Sequence, residues 1–177
     1  MRGRIAILMT AAALAGFAGA GAGLRWTAPA NWIPGAQRPM RLATYTIPHA
    51  AGDQDDAECG VYYFGPGEGG SVQANLDRWI GQFLQADGKP SKSAAKIDHR
   101  TVHEFKLTTV EVSGAYTGMG GPMAVPGVQP KKGYRLLGAI VEGPQGSVFF
   151  KCTGPAKTVG QNQQAFEKML DSLTPQT

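Results

Sequence analysis

The residues most capable of chemistry in this chain are two histidines four apart, His99 and His103, followed by Glu104. Residues i and i+4 share a face on a helix and on a strand, so both rings could reach one metal ion. The order His-x-x-x-His-Glu differs from the H-E-x-x-H of zinc proteases, where a general base sits between the ligands. A third ligand would have to come from His49 or Asp98 through folding. Exposed strand histidines are the simpler reading.

Other constellations are weaker. Gly65-Pro66-Gly67-Glu68-Gly69-Gly70 matches G-x-G-x-x-G letter by letter. That pattern lets backbone approach a pyrophosphate at a helix N-terminus. Here Glu68 would face the anion, Asp87 follows the helix in a polar loop, and a parallel partner strand is missing, so a tight turn is expected. Asp53, Asp55, Asp56 and Glu58 cluster as calcium ligands do, but without the glycine and distal Glu of an EF-hand. A solvated loop is the expectation. Met119 and Met123 are soft ligands suited to Cu(I), set in a Gly/Pro-rich loop. Ser113 has no nucleophile-elbow context and no Asp-His partner nearby in sequence. Trp26 and Trp32 could line a ligand groove, whereas Trp79 falls on a helix stripe and reads as core. No catalytic residue and no cofactor is assigned.

Cys59 and Cys152 are the two cysteines. Their bearing depends on the N-terminus. Arg2 and Arg4 precede an uncharged apolar stretch, Ile5 to Phe17, and Ala18-Gly19-Ala20 offers small residues where a signal peptidase cuts. Residues 1–20 are therefore expected to be a cleavable signal peptide, with Ala22 as a second cleavage point and an uncleaved anchor as the alternative. The stretch falls short of the about 20 strongly apolar residues of a membrane span. In an oxidising compartment an even cysteine count permits a disulfide. Such a bridge would close a loop of about 90 residues and stabilise by about 4–5 kcal/mol in the chain-entropy view. Two buried free thiols remain the other reading, since sequence does not bring the Cα atoms together.

Losing Arg2 and Arg4 leaves 15 basic and 13 acidic residues. So small an excess makes no case for nucleic acid or for an anionic membrane. The chain from residue 21 to 177 has the length of one domain.

The elements that must position these groups read as follows. Arg41–Ile47 alternates and stops at Pro48, and residues 57–64 form a strand with Cys59, Val61 and Tyr63 on one face and Tyr62 and Phe64 on the other. Val72, Leu76, Trp79, Ile80, Phe83 and Leu84 make one helical stripe, with Ser71 as N-cap and Asp87-Gly88 as the end. Residues 97–104 and 106–116 are strands, and residues 117–131 a long loop that could bind something or simply move. Residues 133–142 and 146–153 form a hairpin, and residues 158–173 a second amphipathic helix with Thr158 as cap. Clustered hairpins with two amphipathic helices imply an α+β domain, with an antiparallel sheet and both helices packed on it.

The segments RWTAPANW, ECGVYYFGPGEGGSVQANLDRWIGQF and FFKCTGPAKTVGQNQQAFEKMLDSL resemble a set of uncharacterised exported bacterial proteins. The order of elements is similar to the α/β/α sandwich of the PsbP/Mog-type superfamily. That resemblance implies a binding or assembly role, as in an extrinsic photosystem subunit or a partner of a small GTPase. It transfers no site residue, and shared fold does not transfer function. The resulting expectation is a secreted or periplasmic, non-enzymatic binding or assembly module with an envelope protein partner. It would have no nucleic-acid partner and no stable membrane insertion after signal cleavage. The alternative is a metal-dependent protein or enzyme using His99 and His103.

Overall fold

The computed structural model describes residues 16–118 and 129–176. Eleven strands and three α-helices are found there, and every strand ladder is antiparallel. A small sheet holds β1 (Phe17–Gly21), β2 (Leu24–Ala28) and β11 (Thr174–Pro175), with β2 in the middle. The large sheet runs β3 (Ile33–Pro34), β4 (Arg41–Ile47), β5 (Ala57–Tyr62), β10 (Gly146–Pro155), β9 (Lys131–Gly143), β8 (Phe105–Tyr116) and β6 (Phe83–Leu84). Strand β7 (Lys96–Val102) also pairs with β8.

Alternation along the central strands sends side chains to two separate cores. On one face Phe150, Cys152, Leu137, Ala139 and Val141 pack with Trp26, Trp32, and the helices α2 (Ala156–Gln161) and α3 (Gln163–Asp171). On the other, Phe149, Leu136, Ile140 and Val110 pack beneath α1 (Val72–Ile80). The layers are helix, sheet, then helices with the small sheet. This is the α+β class expected from the sequence.

Helix α1 begins as expected: the Ser71 hydroxyl accepts the Ala74 N–H at 3.2 Å. It ends earlier than its stripe suggests. Gly81 caps it, and Phe83–Leu84 leaves the helix to pair with Tyr116 and Ala115. Phe83 is fully buried and packs on the Tyr116 ring. Strand pairing therefore claims two residues that helical spacing also accommodates.

The last helix is divided rather than continuous. Asn162 leaves helical geometry, donates to the Thr158 carbonyl at 2.9 Å, and accepts the Trp32 indole N–H at 2.9 Å. Thr158 lies inside α2 instead of capping it. Asp53 does the capping from a distance, accepting both the Thr158 N–H at 3.0 Å and its hydroxyl at 2.6 Å.

Candidate functional site

The two histidines lie in different elements. His99 lies in β7, where its Nδ1 is 3.0 Å from the Thr108 hydroxyl of β8. His103 lies past the strand end, in the two-residue turn that joins β7 to β8, with φ of +51°. The i, i+4 argument holds only inside one regular element, and the turn breaks it. Asp98 turns back on the backbone N–H of His99, and His49 pairs with Asp56 at 2.7 Å. Among the described residues no group of three His, Cys, Asp or Glu side chains converges as metal ligands.

The acidic cluster is likewise dispersed into separate structural contacts. Asp53 caps α2. Asp55 accepts from Tyr134 at 2.6 Å and Lys131 at 2.9 Å, and these bonds hold its carboxyl below the usual range. Asp56 accepts from His49, which lowers it too. Glu58 pairs with Arg41 at 2.7 Å and Arg38 at 3.3 Å.

The glycine run is a turn. Gly65, Gly67, Gly69 and Gly70 have φ of +112°, +75°, +90° and +79°. The helix start beyond it is already served by Ser71, while Asn75 Nδ2 donates to the Gly69 carbonyl at 2.8 Å. All three tryptophans are core, exposed by 4% or less. Trp26 donates to the Tyr45 hydroxyl at 3.0 Å, and the Trp79 ring fills the space that glycine leaves at position 138. The Ser113 carbonyl accepts from Gln85 at 3.0 Å. Met119, Met123 and the rest of 119–128 lie outside the described residues.

Cys59 and Cys152 are brought together. They oppose one another directly across β5 and β10, with Cα atoms 3.9 Å apart and the sulfurs at disulfide distance. Both are buried in the core that holds Trp26 and Phe150.

Two features escape motif reading. The first is a cleft of about 410 Å³ between α3 and strands β7 to β9. Phe166, Leu170 and Leu137 supply its apolar surface, and Lys96, Asp98, Arg100, Glu111, Gln163 and Glu167 its polar surface. Its charges are largely paired. Arg135 beneath it binds Glu111 at 2.8 Å and Gln163 at 2.6 Å, and Arg100 pairs with Asp171.

The second is Lys151, on the α1 side of β10. Its Nζ donates to Gln82 at 2.6 Å and lies 5.8 Å from the centre of the Tyr116 ring. Burial, then the positive charges of Arg78 and Arg41, lower its pKa to about 8. A lysine between two phenylalanines and a cysteine in Ser147-Val148-Phe149-Phe150-Lys151-Cys152 is a signal the sequence does carry.

No protein-family model matches the chain, and no curated protein does. Solved structures do, and one of them shares its overall fold. A cyanobacterial PsbP (CyanoP) from Synechocystis sp. PCC 6803 superposes with a TM-score of 0.52 at 9% identity, covering 98% of this chain and 100% of that one. A protein of unknown function from Pseudomonas aeruginosa gives a TM-score of 0.49 at 11% identity, over 76% of this chain and 82% of that one. At this identity the CyanoP likeness establishes the fold alone. Among the described residues no helix is long and apolar enough to cross a membrane.

Proposed function

We propose that the chain is an exported, non-enzymatic binding or assembly module of the cell envelope. The observation that carries the reading is the opposition of Cys59 and Cys152 in the core, at disulfide distance. Paired cysteines of this kind belong to oxidising compartments, and the Arg2-to-Ala20 leader supplies the route there. The binding half of the reading is supported by the cleft of about 410 Å³ under α3 and by the PsbP-like fold. It is further supported by the way the acidic side chains and His49 are spent on separate structural contacts.

The test is production of the full chain, leader included, in a Gram-negative host. The account predicts release by osmotic shock, with an intact mass that begins at Gly21 or Gly23. A chain that stays in the cytoplasm with Met1 or Arg2 at its start would refute export.

A further inference from the structure

The leader and the fold overlap. The processing points after Ala20 and Ala22 fall within β1 and the turn that follows it. Strand β1 pairs residue for residue with β2: Phe17 with Ala28, Ala18 with Thr27, Gly19 with Trp26, Ala20 with Arg25 and Gly21 with Leu24. Among the described residues its other edge has no strand partner, and β11 occupies the far side of β2.

Fit at this seam is specific. A Cβ at position 19 would overlap the Trp26 indole, and one at position 16 would overlap the Ala28 carbonyl. At position 21 it would come within 2.7 Å of the Leu42 side chain. The indole thus lies across strand β1 at Gly19, and β1 helps to hold Trp26 at 2% exposure. Processing would strip this cover. The backbone groups on one edge of Leu24–Ala28 would lose their partners, and a large aromatic ring would be uncovered beside them. An open edge with an apolar ring is an aggregation liability unless something replaces the strand.

Resting on the export reading above, we propose that the processed chain uses the β2 edge as a docking site. Its occupant is an extended, uncharged segment of a partner protein that lies antiparallel to β2 and presents a glycine to Trp26. The segment that pairs with β2 in the full chain, Gly16-Phe17-Ala18-Gly19-Ala20-Gly21, shows the chemistry required: a ladder of backbone groups, small residues, and glycine opposite the indole. Main-chain bonds supply affinity and the glycine requirement supplies selectivity, as in other strand additions.

The experiment uses the exported chain, with its N-terminus read by intact mass. A synthetic peptide of residues 16–21 is added, and amide exchange at Leu24–Ala28 and tryptophan fluorescence are followed. A second peptide carries Gly19→Val. The expected result is a processed chain whose Leu24–Ala28 amides are protected saturably by the first peptide, with the Val peptide at least about tenfold weaker because its side chain overpacks the indole. A processed chain that binds neither peptide, or both equally, overturns the docking site while leaving export intact. A processed dimer that the peptide does not dissociate assigns the edge to a second copy and likewise overturns it. A chain that keeps Met1 or Arg2 overturns the export reading, and the docking site with it.

Discussion

The two faces of the large sheet are built from the same strands and differ by one residue of register. Phe150 and Cys152 point to a face closed by α2, α3 and the small sheet, where the neighbouring groups are Trp26, Met169 and Leu170. Phe149 and Lys151 point to a face covered, among the described residues, by the nine-residue α1 with Phe64, Phe83 and Ala95 beside it. There aromatic rings alternate with charge: Arg41 lies over Tyr62, Lys131 over Tyr134 and Lys151 beside Tyr116. The closed face is organised for stability. The half-covered face tolerates an ammonium group whose charged form burial disfavours.

The sharpest way to break this contrast is Phe150→Ala. The ring is fully buried and edge-on to Trp26 at 5.5 Å. Its loss should cost about 3–5 kcal/mol in denaturant unfolding. A cost below about 1 kcal/mol would show that the closed face is not tightly packed.

Lys151→Met probes the other face, with an effect on the order of 1–3 kcal/mol. The folded pKa, about 8, lies below the ordinary 10.5, so the folded chain holds this proton less well than the unfolded one. Below pH 8 the ammonium costs stability. As pH rises from about 8 to 10.5 that cost disappears, and wild-type stability rises. The variant should therefore exceed wild type at pH 7, by a margin that shrinks across this window. A margin independent of pH would contradict the account.

Asp53→Ala removes the long-range cap of α2, at an expected cost of about 1 kcal/mol. It should speed amide exchange at the start of α2 without changing exchange beneath α1. Equal loosening of both faces would argue against their independence.

The same contrast explains what was legible in the sequence. Alternation located β4, β5, β7 and β8, and turn residues located the β9–β10 hairpin, because period and turn chemistry are local. Ser71 was readable as a cap for the same reason. The departures all depend on distant partners. Phe83 and Leu84 leave the helix for Tyr116 and Ala115, and Asn162 interrupts the last helix to meet Trp32. His99 and His103 suggested a shared face because spacing does not reveal that a turn begins at His103. The cysteine pair was the part of the site most open to sequence reasoning. The α3 cleft was hidden, since its wall and floor come from β7, β8, β9 and α3, which only the tertiary fold assembles. Residues 17–21 carried two messages at once. Their small, apolar character suits a leader's end and also a strand lying across Trp26.

The most direct test of the exported, closed-core account is the oxidation state of Cys59 and Cys152 in chain released from the envelope. The protein is denatured without reductant, treated with an alkylating reagent and weighed intact. The account predicts no adduct, and two adducts only after reduction. Two adducts without reduction would show free thiols in the exported chain and contradict it.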